Sequence, residues 1–70
     1  MPLKPLRPRE VARRLEKAGF KLTRQKGSHA RYVKGSHGVT VPIHPGEVPL
    51  PVIRSILKQA GLTSEEWEKL

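Results

Sequence analysis

Ser28-His29-Ala30-Arg31-Tyr32-Val33-Lys34-Gly35-Ser36-His37-Gly38-Val39-Thr40-Val41-Pro42-Ile43-His44 is the stretch on which the fold turns. Two runs rich in β-branched and aromatic residues flank a Gly-Ser-His-Gly cluster, the pattern of two strands joined by a hairpin. The strands are predicted over residues 28–34 and 39–44, with Gly35, Ser36, His37 and Gly38 as the loop. In the later strand Val39, Val41 and Ile43 face the core, leaving Thr40, Pro42 and His44 on the opposite side. Pro42 cannot donate to a ladder, so this strand is expected at a sheet edge.

Upstream, residues 20–25 alternate, with Phe20 and Leu22 facing the core and Lys21 and Thr23 the other way. That is a third strand, closed by a turn at Lys26-Gly27. Before it, Val11, Leu15 and Ala18 are spaced four and three apart behind Pro8, predicting a helix over residues 8–18. Gly19 followed by an apolar Phe20 is the composition of a left-handed helix end with its hydrophobic contact.

Downstream, a proline-rich loop over residues 45–51 leads to a helix that carries Val52, Ile53, Ile56, Leu57 and Ala60 on one stripe and stops at Gly61. Thr63 with Glu66 three residues later has capping-box spacing, announcing a short last helix anchored by Trp67. The order predicts an α+β domain, an αβββα(α) sandwich with helices on one face of a three-stranded antiparallel sheet and the other face partly open. One domain spans residues 1–70, without repeats, low-complexity tracts or linkers.

The 70 residues include no cysteine and no zinc-ligand spacing, so packing alone must stabilise a core that buries only about 60% of the unfolded surface. A reducing cytoplasm fits this composition. The start of the chain alternates proline with basic residues and lacks the apolar run of a signal peptide, and no segment is long and apolar enough to span a membrane. Fourteen Lys and Arg against six Glu and no Asp give a formal charge of +8. No acid lies between Glu16 and Glu47, an interval holding Lys17, Lys21, Arg24, Lys26, Arg31, Lys34 and all three histidines. A phosphate backbone is the natural partner of such a patch. The competing reading is a solvated face that keeps a small protein soluble.

A loop centred between Ser36 and His37 would pair Lys34 with Val39, Tyr32 with Val41 and Ala30 with Ile43. His29 would then stand across from His44 on the open face, beside Arg31 and near Lys26 and Arg24. Cross-strand Cβ atoms lie about 4.5–5.5 Å apart, and a one-residue slip would separate them. Two imidazoles among cations suit phosphate chemistry without metal or cofactor. Imidazole exchanges a proton near neutrality, with an ordinary pKa of about 6.5. RNA supplies a 2′-hydroxyl that can attack the adjacent phosphate once deprotonated, and DNA does not. The alternative is that His29 and His44 are ordinary surface histidines; His37 reads as a turn residue.

Lys17-Ala18-Gly19-Phe20, then Arg24-Gln25-Lys26-Gly27-Ser28-His29 with Tyr32, then Val39-Thr40-Val41-Pro42 with His44, and Arg54-Ser55-Ile56-Leu57-Lys58-Gln59-Ala60-Gly61-Leu62 together resemble the HicA toxin family over residues 9–67. The resemblance implies a fold like the double-stranded-RNA-binding domain, a ribosome-independent mRNA interferase activity and neutralisation by a cognate HicB-type antitoxin. It also implies that the catalytic histidine is His29. The chain departs from the family's Gly-Thr-Leu-like start of the second helix, having Pro51-Val52-Ile53 there, and the leading residues 1–7 fall outside the match.

The expected function is that of a cytoplasmic toxin, an endoribonuclease acting on single-stranded or loop regions of mRNA. His29 would be general base, with Lys26 and His44 as catalytic support. Arg24, Lys26, Ser28, Arg31, Lys21 and Lys34 would contact RNA. The alternative is a non-catalytic RNA-binding module of the same fold. A third reading, a structural protein whose charge serves solubility, predicts no salt-dependent RNA binding.

Overall fold

Two hairpins built on the same dipeptide organise the protein. The structure is a computed structural model describing residues 3–70, so the first two residues of the leader lie outside the described residues. Strands β1 (Lys21–Lys26), β2 (His29–Lys34) and β3 (His37–Pro42) form one antiparallel sheet in the order β1-β2-β3. Gly27-Ser28 joins β1 to β2 and Gly35-Ser36 joins β2 to β3, each glycine having a φ of +58°. A left-handed glycine at the first of two central positions is what a type II′ turn requires, and its twist matches that of the flanking strands. The full tetrapeptide is duplicated, Lys26-Gly27-Ser28-His29 and Lys34-Gly35-Ser36-His37, a short repeat the expectation of a repeat-free chain overlooks.

The tight second turn corrects the expected register. A four-residue loop pairs Tyr32 with Val41, whereas the two-residue loop pairs Tyr32 with Val39, Ala30 with Val41, Arg31 with Thr40 and His29 with Pro42. The slide is two residues, which is the period of a strand, so every side chain keeps its face while its cross-strand partner changes. His37 becomes a strand residue. Ile43 and His44 fall beyond β3, with the Ile43 N–H donating to the Ser28 carbonyl at 2.6 Å.

Ala30, Tyr32, Val39 and Val41 point to one face of the sheet and are buried under the helices. Helix α1 (Pro8–Lys17) contributes Val11 and Leu15, and α2 (Leu50–Ala60) contributes Ile53, Ile56, Leu57 and Ala60. Both helices end alike. Gly19 and Phe20 donate to the Glu16 and Leu15 carbonyls at 3.0 and 2.9 Å, and Gly61 and Leu62 donate to those of Lys58 and Leu57 at 3.3 and 3.0 Å. This double closure with a left-handed glycine is the Schellman motif, with Phe20 packed back on the core. Helix α3 (Ser64–Glu68) starts in the predicted capping box, Glu66 N–H to Thr63 Oγ1 at 3.1 Å and Thr63 N–H to Glu66 Oε1 at 2.8 Å, and buries Trp67 completely.

The sheet is covered unevenly. α2 lies on β3, and α1 touches β3 and β1, but all six β1 residues are exposed. Phe20 is buried as expected; Leu22 is not, remaining 47% exposed. A bulge between Leu22 and Arg24 shifts the β1 register there, and the contact of α1 with the strand leaves all six of its residues exposed. Pro42 does sit on an edge strand. On that edge the Thr40 N–H is satisfied by Gln59 Oε1 at 3.3 Å, reached from α2.

Candidate nucleic-acid interface

Residues directly opposed in an antiparallel sheet share a face, so the register assigns the uncovered side of the sheet. Lys26 opposes His29, Arg24 opposes Arg31, and across the other ladder Arg31 opposes Thr40 and His29 opposes Pro42. All alternate with the buried Ala30 and Tyr32, and Arg24, Lys26, His29 and Arg31 are exposed together on the open face. Ser28 adjoins them in the turn. Lys21 lies at the far end of β1, opposite Val33.

Two guanidinium-bearing residues directly opposite each other are an unfavourable pair in a free sheet. No carboxylate relieves them. The ion pairs among the described residues lie on the helices, where Glu10 joins Arg13 at 2.6 Å and Arg14 at 2.9 Å and Glu68 approaches Arg14 at 4.0 Å. Hydrogen bonds from Arg13 and then Arg14 hold the Glu10 carboxyl down at about 2. Arg14 also donates to the Trp67 carbonyl at 3.1 Å and lies 5.4 Å from its ring centre, so this arginine ties α1 to α3.

Arg31 relieves the crowding by leaning the other way. Its Nη1 donates to Thr40 Oγ1 at 3.1 Å, and its guanidinium covers Gly38, where an added Cβ would come 2.7 Å from Cζ and nearer still to Nη2. Thr23, the residue at the bulge, donates from Oγ1 to the Arg31 carbonyl at 3.2 Å. His29 makes no side-chain hydrogen bond among the described residues, so its ring nitrogens are open to a ligand.

Three expected site residues stand apart from this group. His44 is not opposite His29; it lies in the loop after β3 with Nδ1 3.1 Å from the Pro45 carbonyl, because the shorter turn ends the pairing at Pro42. Lys34 faces the helix side, where Nζ donates to the Ala18 carbonyl at 2.7 Å. Lys21 is on the open face but remote from the turn. Gly38 and Thr40 were missed. A glycine in the middle of an alternating strand run is a signal for close approach of another group, and here that group is Arg31. Among the described residues no three His, Cys, Asp or Glu gather where they could hold a metal ion, and no helix is long and apolar enough to cross a membrane.

Fold and site together define a small α+β domain that gathers four basic or titratable side chains near the first turn on an uncovered sheet face, with no acid among them. A family model described as the HicA toxin of bacterial toxin-antitoxin matches residues 8–62. The chain belongs to this family, and membership implies a toxin of a toxin–antitoxin pair with a cognate antitoxin as partner. No curated protein matches it.

Proposed function

We propose that this toxin is a metal-independent endoribonuclease that cleaves mRNA in the cytoplasm, with His29 as general base. The observation that carries the reading is the pairing of Lys26 with His29 beside the opposed Arg24 and Arg31, on a face without carboxylates. Opposed like charges are stabilised when a polyanion lies between them. The His29 imidazole takes the 2′-hydroxyl proton, the 2′-oxygen attacks the adjacent phosphorus, and the bond to the 5′-oxygen breaks. The 5′-oxygen leaves as a hydroxyl after protonation by Lys26 or solvent, and the other fragment ends in a 2′,3′-cyclic phosphate. Lys26 and the guanidinium groups neutralise charge that grows on the phosphoryl oxygens.

A long RNA incubated with the protein, with and without EDTA, tests this directly. Cleavage unaffected by EDTA, cyclic-phosphate ends and a block by 2′-deoxy substitution at the cut site support it. Salt-dependent binding without cleavage would leave the non-catalytic RNA-binding module as the better description. The antitoxin, on the same reading, covers His29 with carboxylates and competes with RNA; a complex that cleaves at full rate would place that partner elsewhere on the toxin.

A further inference from the structure

Proteins that hold single-stranded RNA stack its bases on aromatic rings or on guanidinium planes. The first option is closed here. The chain has one Phe, one Tyr and one Trp, and Phe20, Tyr32 and Trp67 are all buried in the core on the helix side of the sheet. The planar groups left on the open face are the His29 imidazole and the guanidiniums of Arg24 and Arg31.

Of these, Arg31 is the one whose position is built into the sheet. Thr40, directly across on β3, fixes Nη1 at 3.1 Å. Gly38, two residues before Thr40 on the same face, lacks the Cβ that would collide with Cζ at 2.7 Å and Nε at 3.2 Å. The guanidinium therefore lies down over β3 instead of extending into solvent, backed by main chain on one side and open on the other. A phosphate contact needs no such seat, because a long flexible cation finds a phosphate oxygen by itself.

We propose that Arg31 is the base-stacking platform of the site, with Gly38 and Thr40 as the positioning residues that hold it. The inference rests on the RNA reading above. His29 stands two residues before Arg31 on the same strand face, about 6.5–7 Å away, so the stacked base belongs to a nucleotide next to the bond on which His29 acts. A guanidinium plane takes any base by its π-face, which makes this subsite tolerant of sequence while requiring an unstacked nucleotide.

Short 2′-O-methyl oligonucleotides, which lack the attacking hydroxyl and stay intact, are the probe. In one series a 2-aminopurine is moved along the strand; in a second the same positions are made abasic. With the parent protein, one position should show a change in fluorescence as the base leaves its neighbours, and its abasic counterpart should bind about 5- to 150-fold more weakly, the usual weight of one stacked base. Arg31→Lys keeps the charge and removes the plane. It should lose that fluorescence change and become indifferent to the abasic change, while the slope of log affinity against log salt stays the same. Gly38→Ala and Thr40→Val should move the same way with unchanged circular dichroism.

An Arg31→Lys protein that keeps the full abasic penalty overturns the proposal. So does an Arg31→Ala protein whose only change is a salt slope smaller by about 0.7, which makes Arg31 a phosphate contact. If the parent binds none of these oligonucleotides nor natural RNA at any salt, the RNA reading fails and the platform with it. Binding of natural RNA without a position-dependent fluorescence change sinks the platform alone.

Discussion

Lys26-Gly27-Ser28-His29 and Lys34-Gly35-Ser36-His37 are identical in sequence and share their turn geometry, yet they have opposite fates. The first leaves Lys26 and His29 on the open face, free of protein partners. The second sends Lys34 and His37 to the helix side, where Lys34 Nζ donates to the Ala18 carbonyl and sits 6.0 Å from the Phe20 ring centre. His37 Nδ1 lies 3.2 Å from the Gln59 carbonyl, and its ring packs so close to Gly61 that a Cβ there would be 3.0 Å from Cε1. The cause is parity: β2 has six residues, so its first and last side chains point to opposite faces. One copy of the motif became a reactive surface and the other a clasp for the helix ends.

The largest effect that could break this contrast is on rate. His29→Ala should lower cleavage by about 10²–10⁴, the weight of a positioned general base, with stability within about 0.5 kcal/mol of the parent because His29 is exposed. His37→Ala should cleave normally but lose about 0.5–1.5 kcal/mol of stability. Equal loss of cleavage in both would show that the two turns are not functionally distinct. His44→Ala is the companion measurement, and normal cleavage is expected since His44 does not oppose His29.

Next in size is the electrostatic contrast. With about five phosphates contacted, log affinity should fall against log salt with a slope of about −3.5 to −4.5, and Lys26→Ala should reduce that slope by about 0.7. Lys34→Ala should leave it nearly unchanged and lower the melting temperature instead. A salt-insensitive affinity would remove the open face from RNA binding altogether. Gly27→Ala and Gly35→Ala sharpen the comparison from the other side. Their shared left-handed φ should make both destabilising by about 1–2 kcal/mol, measured by urea denaturation. A large difference between them would mean that the two turns are not equivalent in backbone.

The smallest expected effect lies away from both turns. Glu10, held at about 2 against an ordinary 4.5, is charged in the folded state where the unfolded chain would already be protonated. Its contribution is present above about pH 4.5 and is lost as the pH falls toward 2. The pairs are partly solvated, so about 0.2–1 kcal/mol is expected. Thermal melts of the parent and of Glu10→Gln across that range should converge at low pH; a constant gap would mean that the carboxylate charge is not the source.

The helices were legible because their signals are local: Pro8 at a helix start, Gly19 and Gly61 at helix ends, Thr63 with Glu66 at a cap. The faces of β2 and β3 were legible for the same reason, since alternation is written into Ala30, Tyr32, Val39 and Val41. The partner across each strand was not, because it depends on how many residues a turn consumes, and Gly-Ser-His-Gly fits both a four-residue loop and a two-residue loop followed by strand. Leu22 was misread because alternation says which way a side chain points and nothing about whether a helix arrives to cover it.

By itself, then, the sequence determined the element order, the core faces and the acid-free interval around His29, all properties of neighbours along the chain. Tertiary structure decided which of two identical Lys-Gly-Ser-His turns sets its Lys and His on the open face and that His29 meets Lys26 and Pro42 in place of His44. It also decided that Arg31 lies over Gly38. These are matters of register and coverage, set by backbone pairing across the sheet and by where the helices pack, and no local pattern of residue types encodes them.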